Sequence, residues 1–399
     1  MLDEARPARW GVLGLLFLSI TINLVDRQVL SVLAPVMRDE LGLSNTQYAY
    51  VLFAFLLGMT LAQVPAGWFL DRHGARLGLP LLMLWWSAAN GLHAVGRTAG
   101  QFCAFRFLMG TGECGNYSGG IKVISQWFPP RERALAGGIF NSGTVVGAFA
   151  APPLIVALAL HFGWRAAFLL PSALGLVWIA PWLAFYRDRE PPQPGTPAQP
   201  LAPMLRHRQV WGAVLMRMLG GPVVHFYWYW LPEYLKREHH FSLARIGLLA
   251  GVPFLFAGLG NLAGGWFSSH LMRRGWSADA ARKIAFVLAA ALCGASLLMP
   301  LAPGELLPIG LISTATFGIS AFAANHIALL TDLFSPPVLA RLSGLTGVGE
   351  GLMNMLLMLA TGAVVDHFSY LPVFLAAGLL PALGVAALFL LVRRVELLF

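Results

Sequence analysis

Residues 67–76 read GWFLDRHGAR and connect the end of one long apolar run to the start of the next. The first run covers about residues 46–70 and the second about residues 77–97. An α-helix needs about 20 mostly apolar residues to cross a bilayer. This short charged segment therefore predicts a tight loop between two membrane-spanning helices.

Ten further apolar runs of this kind occur along the 399-residue chain. The twelve predicted spans cover residues 10–37, 46–70, 77–97, 100–127, 133–160, 165–186, 209–235, 243–271, 283–302, 306–331, 342–365 and 370–392. The stretch between spans six and seven is rich in proline, which prevents a packed helix. We therefore predict an all-α membrane protein with an N-terminal six-helix bundle (1–186), a cytoplasmic linker (187–208) and a C-terminal six-helix bundle (209–399).

The composition excludes a soluble globular protein. Charged residues make up 11% of the chain and hydrophobic residues 57%, whereas soluble domains carry about 25% charged residues. The formal net charge of +9 could indicate nucleic-acid binding, but the basic residues lie in short clusters between apolar runs. We predict a lipid bilayer around the chain and no nucleic-acid partner. Cys103, Cys114 and Cys293 have no metal-ligand spacing, so no metal and no organic cofactor are expected.

The distribution of basic residues predicts the orientation. Of the 27 Lys and Arg residues, 17 lie near span ends on one side and six on the other. The six are Arg38, Arg97, Arg165, Lys236, Arg237 and Arg245. Cytoplasmic loops carry the excess of Lys and Arg, so both termini are expected in the cytoplasm. The expected location is the bacterial inner membrane.

The two halves of the chain resemble each other. GWFLDR at 67–72 corresponds to GWFSSH at 265–270, and PPRERALAG at 129–137 corresponds to PPVLARLSG at 336–344. Two matches in the same order indicate a duplicated six-helix unit. Carriers built from parallel repeats bind their substrate between the halves, and the same arrangement is expected here.

The loop at 67–76 is predicted to act as a cytoplasmic gate. Gly67 would allow close helix approach, and Asp71 would cap a neighbouring helix N-terminus or pair with a cytoplasmic arginine. Arg72 and Arg76 complete the motif. The alternative is an ordinary basic turn.

Charged residues inside the predicted spans mark a functional site, because each costs about 2.5–3.5 kcal/mol at mid-membrane. Arg106 and Glu113 are seven residues apart and share one helix face. Asp26 and Arg27 are adjacent and point about 100° apart. A buried carboxylate beside an arginine can alternate between paired and protonated states. We predict Asp26 and Glu113 as proton-coupling sites and Arg106 as their switchable partner, with a static buried ion pair as the alternative.

Arg27 would bind a substrate carboxylate through its bidentate guanidinium. Arg217 would contact substrate, or its side chain would instead extend to the cytoplasmic surface. Glu350 would pair with Arg217, serve as an extra proton site, or contact substrate. Tyr227 and Trp230 would stack on a sugar ring, or belong to an interfacial aromatic belt.

Six further polar residues in the spans could donate hydrogen bonds to substrate hydroxyls. Each of them singly is better explained as a helix–helix contact, and together they would supply a polar cavity. They are Tyr48, Gln63, Asn116, Asn141, Thr144 and Asn325.

The loop motif, the six-plus-six layout and the proline-rich linker resemble the major facilitator superfamily over nearly the whole chain. VDR at 25–27, RFLMGTGECGN at 106–116 and QWFP at 126–129 resemble its anion:cation symporter family. FNSGT at 140–144, APP at 151–153, RHRQVW at 206–211 and FYWYWLP at 226–232 resemble the hexuronate-transporter branch. The resemblance supports the proton-coupling assignment and implies a basic substrate-side residue at Arg217. Glu350 departs from the branch, where small or neutral residues are usual.

These patterns predict a proton-coupled symporter that imports a hexuronate-like sugar acid by alternating access. We expect a monomer, with protons as the coupling ion and a small organic anion as substrate. The alternative is a transporter of another organic anion, such as an aldonate, glucarate or an aromatic acid, or an exchanger. A membrane-embedded enzyme or a sensor is disfavoured because no catalytic constellation or attached soluble domain is evident in the sequence.

Overall fold

A computed structural model describes residues 6–128, 130–188, 203–334 and 336–398. Helices are the only regular elements in these ranges. Most of the predicted proline-rich linker and the side chain of Asp71 lie outside the described part. The boundaries predicted for the two bundles and the linker stay predictions.

Five α-helices form the first half of the described chain. They are α1 (Arg6–Leu41), α2 (Asn45–Leu92), α3 (Ala99–Trp127), α4 (Pro130–Phe162) and α5 (Ala166–Phe185). Helix α2 covers both the second and the third predicted span. It contains a kink at Gly74, whose φ of 76° is a left-handed conformation that favours glycine. The charged loop is therefore a bend within nearly continuous helix.

The second half contains eight α-helices. They are α6 (Arg208–Gly220), α7 (Pro222–Arg237), α8 (Leu243–Leu249), α9 (Val252–Arg273), α10 (Ala278–Cys293), α11 (Leu306–Leu333), α12 (Pro336–His367) and α13 (Leu371–Leu391). The predicted span 209–235 is broken at Gly221, because the next residue, Pro222, has no backbone N–H to continue the helix. A 3₁₀ stretch, Gly294–Leu301, continues α10.

Nine helices in the described ranges are long and apolar enough to cross a membrane. The predicted spans without such a helix are 77–97, 100–127 and 209–235. All three are helical in the structure, but α3 carries Arg106, Glu113 and Lys122, which lower its apolarity. The multi-span membrane architecture is thus supported, while the count of twelve stays a prediction.

The chain divides into two compact units. The first comprises Met1–Gly195 with His240–Gly251, and the second comprises Thr196–His239 with Val252–Phe399. In the first unit α1 packs against α4, and α2 packs along α3. In the second unit α11 packs against both α9 and α10.

The contact between α2 and α3 is close because glycines lie at the crossing. A side chain at Gly110 would meet the backbone of Phe55, and one at Gly58 would meet the backbone of Phe107. Small residues allow such backbone approach between membrane helices. This contact places the charged face of α3 next to α1 and α2.

Candidate functional site

The first unit contains a buried ion pair between α1 and α3. Arg27 donates to Glu113 Oε2 from Nη2 at 2.8 Å and from Nε at 3.1 Å. The Glu113 side chain has no exposed surface, and that of Arg27 is 14% exposed. Arg27, which was predicted to bind substrate, is thus the direct hydrogen-bonding partner of Glu113. The sequence had predicted Arg106 as that partner.

The Asp26 side chain contacts the second half of α2. Its carboxylate accepts hydrogen bonds from Trp86 Nε1 at 3.2 Å and Asn90 Nδ2 at 2.8 Å. Asn90 also donates to Ser172 Oγ of α5 at 3.2 Å. Asp26 is completely buried, so two neutral donors of α2 bind a carboxylate inside the unit, and Ser172 of α5 supports one of them.

The positive charge of Arg106 attracts the carboxylates of both Asp26 and Glu113. Its Nη2 donates to the backbone oxygen of Arg27 at 3.4 Å. The guanidinium groups of Arg106 and Arg27 lie 5.6 and 5.1 Å from the ring centroid of Phe55, within cation–π range. The four predicted charges therefore form one buried cluster.

The other polar candidates in the first unit are partly explained by helix packing. Asn116 Oδ1 accepts a hydrogen bond from Ser19 Oγ at 3.1 Å, which links α3 to α1. Thr144 Oγ1 donates to the backbone oxygen of Asn141 at 2.7 Å within α4. Tyr48 is buried, whereas Asn141 and Thr144 are half-buried.

The second unit contains a second Arg–Glu pair. Arg217 Nε of α6 donates to Glu350 Oε2 of α12 at 2.6 Å, and Arg217 Nη1 donates to Thr346 Oγ1 at 3.3 Å. Of the alternatives for Glu350, the structure shows pairing with Arg217. Both residues line a cavity of about 110 Å³, to which His326 also contributes.

The remaining substrate candidates of the second unit lie in its packed interior. Tyr227 and Ser296 share a hydrogen bond between their hydroxyls at 2.6 Å, and Trp230 has no exposed surface. Asn325 Nδ2 donates to the backbone oxygen of Gly264 at 2.9 Å, which links α11 to α9. None of the three predicted residues lines the Arg217 cavity, and their proposed substrate contacts stay predictions.

The family is decided by a sequence profile. The profile described as Major Facilitator Superfamily matches residues 16–326. The chain belongs to this superfamily.

Several relatives of this superfamily member carry a functional name. The chain is 29% identical to the "Hexuronate transporter" of Escherichia coli (strain K12) over 402 residues, which cover 96% of the chain and 93% of the relative. It is 31% identical to the "Probable L-galactonate transporter" of the same strain over 410 residues, with coverages of 95% and 88%. The family and these relatives are transporters rather than enzymes, as the sequence predicted.

Solved structures show the same fold. A bacterial homologue of the human lysosomal transporter Spinster, in an inward-facing and occupied conformation, matches with a TM-score of 0.79 at 20% identity, covering 97% of each chain. A D-xylose-proton symporter matches with a TM-score of 0.72 at 18% identity, covering 95% of this chain and 96% of the other.

The 67–76 loop of this superfamily member does not confirm the prediction in one respect. A side chain at Gly67 would meet no atom of the described residues within 4 Å, so the described part of the chain shows no close helix approach there and the predicted one is not confirmed. Arg72 is exposed and its guanidinium lies 5.3 Å from the ring centroid of Trp68. Gln63, on the preceding turns of α2, is also exposed.

A carboxylate that the sequence analysis did not single out caps the helix after the bend. Asp188 accepts hydrogen bonds from the backbone N–H of Ala75 at 2.9 Å and of Arg76 at 3.2 Å. Tyr186 donates to the same carboxylate at 3.1 Å. The signal available was an acidic residue between two arginines, directly before the proline-rich stretch.

Lys122 also has a structural contact near the bend of α2. Its Nζ donates to the backbone oxygen of Leu70 at 2.9 Å, four residues before Gly74. In the described ranges, no group of three or more His, Cys, Asp or Glu is arranged to hold a metal ion.

Proposed function

We propose that this chain is a proton-coupled symporter that imports a hexuronate-like sugar acid across the bacterial inner membrane. In this proposal twelve helices span the membrane, both termini are cytoplasmic, and the monomer is the working unit. The observation that carries the proposal is the buried Arg27–Glu113 pair at 2.8 Å, with Asp26 and Arg106 in the same cluster.

Coupling follows from competition for one guanidinium. While Glu113 is ionised, its carboxylate occupies the Nε–Nη2 edge of Arg27. A proton on Glu113 weakens this contact, because it removes the negative charge that attracts the guanidinium of Arg27. Arg27 is then available for the carboxylate of the substrate. Binding of one proton and one organic anion leaves the net charge of the site unchanged.

Asp26 provides a second proton site in the same scheme. It receives hydrogen bonds from Trp86 and Asn90, and Arg106 attracts it electrostatically. A charged carboxylate is expensive in this environment unless it is paired or neutralised. Protonation of Asp26 therefore changes the balance of charge around Arg106, which in turn affects the Arg27–Glu113 pair.

The substrate class rests on the relatives. Those named above carry hexuronate or galactonate in their names, and another is named a probable galactarate/D-glucarate transporter. All of these compounds are sugar acids, which present a carboxylate to an arginine. Transport of an aldonate, of glucarate or of an aromatic acid, or operation as an exchanger, is the second candidate.

Uptake into proteoliposomes tests the proposal. Labelled D-glucuronate, D-galactonate and D-glucarate are offered with and without an inward proton gradient. Accumulation of D-glucuronate above equilibrium is expected only with the gradient, and a protonophore should abolish it. Accumulation that persists after the gradient is dissipated would exclude proton coupling. Uptake that needs a preloaded internal anion would instead favour the exchanger.

A further inference from the structure

The Arg217–Glu350 pair of the second unit is more accessible than the proton-coupling pair. The Arg217 side chain keeps 31% of its surface exposed and that of Glu350 keeps 18%. The Glu350 carboxylate accepts a hydrogen bond from Arg217 Nε, and the Thr346 hydroxyl accepts one from Arg217 Nη1. The guanidinium is thus held by a resident carboxylate but lies open on one side.

The open side is the cavity of about 110 Å³. Its polar contributors besides the pair are His326 and Ser320, and the rest of its lining is mainly apolar. Sites that enclose a whole small molecule measure about 300–1,000 Å³. This cavity instead suits one end of a ligand, such as a carboxylate and its neighbouring carbon.

The break between α6 and α7 makes room for the resident carboxylate. A side chain at Gly221 would clash with the carboxyl group of Glu350, so only glycine lets Glu350 reach Arg217 there. Interrupted helices commonly line the binding sites of carriers, because the backbone at the break faces a cavity. The Arg217–Glu350 pair and the helix break at Gly221 thus line the same cavity.

We propose that this cavity receives the carboxylate of the transported acid before that carboxylate binds to Arg27, and that Glu350 determines specificity by competing for Arg217. The inference rests on the proposed function. An acid can replace Glu350, because its carboxylate offers Arg217 an equivalent charge-assisted contact. A neutral sugar offers no such group, so the closed Arg217–Glu350 pair excludes it.

The competition has a measurable consequence. A resident competitor lowers the affinity for every acid, because each must first displace it. Glu350→Gln removes the competing charge but keeps a side chain of similar size. It should lower the Kd for D-glucuronate by about tenfold or more, the effect expected for loss of one charge-assisted hydrogen bond. D-Glucose, which the closed pair excludes, should also bind more tightly to this variant than to the parent.

The experiment measures equilibrium binding of D-glucuronate, D-galactonate and D-glucose to the purified full-length chain in detergent. Asp332→Asn is the matched control, since it breaks another ion pair of the second unit, Arg282–Asp332 at 2.8 Å, and should leave all three affinities unchanged. Arg217→Gln alone leaves Glu350 unpaired and risks misfolding. The double variant with Glu350→Gln contains neither charge and should bind both acids at least about tenfold more weakly than the parent.

Three outcomes would overturn the inference. The first is a Glu350→Gln chain that binds D-glucuronate no more tightly than the parent. The second is D-glucose binding that does not increase in the Glu350→Gln chain, which would mean that the closed pair does not exclude neutral sugars. The third is a parent that binds neither acid, which would overturn the proposed substrate class as well. A parent that binds D-glucuronate but shows no gradient-driven uptake would refute symport alone, and the Kd comparison would still decide the role of Glu350.

Discussion

Replacing Glu113 by glutamine should separate substrate binding from proton coupling. In the parent, two N–H groups of Arg27 converge on one carboxylate oxygen at 2.8 and 3.1 Å. Glutamine keeps the shape and one hydrogen bond but loses the charge. The remaining hydrogen bond still has a charged donor, but the ion-pair attraction is lost, and two charges about 4 Å apart attract by about 1 kcal/mol in water and about 4 kcal/mol at an effective dielectric constant of 20. The variant should therefore hold Arg27 about 1.5 kcal/mol less tightly, which corresponds to about tenfold in affinity for a competing anion.

The size of the effect depends on pH. When Glu113 is ionised at mildly alkaline pH, the parent must break the Arg27–Glu113 pair to bind an acid at Arg27, whereas the variant does not. The variant should then bind D-glucuronate about tenfold more tightly than the parent. At acidic pH, where a protonated Glu113 resembles glutamine, the two should converge. Proton-driven accumulation should be lost in the variant at every pH.

Intrinsic tryptophan fluorescence of the purified chains would give the Kd values, and proteoliposome uptake would give the coupling. Glu40→Gln is the control, because Glu40 also pairs with an arginine, Arg165, at 2.7 Å, but both side chains are largely exposed. Exposed pairs contribute little, so this control should match the parent. The reasoning fails if Glu113→Gln keeps the pH dependence of the parent or still accumulates substrate with the gradient.

Three further changes test the framework around the site. Asp26→Asn should abolish gradient-driven uptake while the melting temperature stays near that of the parent, because asparagine can still accept from Trp86; retained uptake would exclude Asp26 as a proton site. Asp188→Ala should cost about 1 kcal/mol of stability through loss of the helix cap, visible as a lower melting temperature that Asp188→Asn partly restores. Gly110→Ala should destabilise the chain by more than any of these, because its side chain meets the Phe55 backbone. Gly344→Ala, whose added side chain would meet no described atom within 4 Å, should have no such effect in the same melting assay.

The helices themselves followed closely from apolar runs. The predicted span 306–331 corresponds to α11, Leu306–Leu333, and span 370–392 corresponds to α13, Leu371–Leu391. Hydropathy cannot show whether two adjacent spans are joined by a turn or by a bend, because both need only a few polar residues. The kink at Gly74 depends on a backbone angle and on the distant Asp188 cap. The break at Gly221 had a local signal, the Gly-Pro dipeptide.

The charged cluster was predicted by residue type, but its pairing was not. Helical spacing placed Arg106 and Glu113 on one face of α3. Seven residues correspond to about 10 Å along a helix, which is beyond hydrogen-bond reach. Arg27 reaches Glu113 from the neighbouring helix instead. A direct partner therefore had to come from another helix, and its identity depends on packing that a single sequence does not specify.

The two Arg–Glu pairs differ in a way that favours different roles. The Glu113 side chain is fully enclosed, so an unpaired charge there is strongly unfavourable and a proton must accompany release of Arg27. Glu350 keeps some exposure beside a cavity, so water can solvate its carboxylate once Arg217 turns to another anion. Release of Arg27 is thus tied to protonation, whereas release of Arg217 requires only a competing carboxylate. Burial therefore supports the proposal of proton coupling at the first pair and the proposal of selection of acids over neutral sugars at the second.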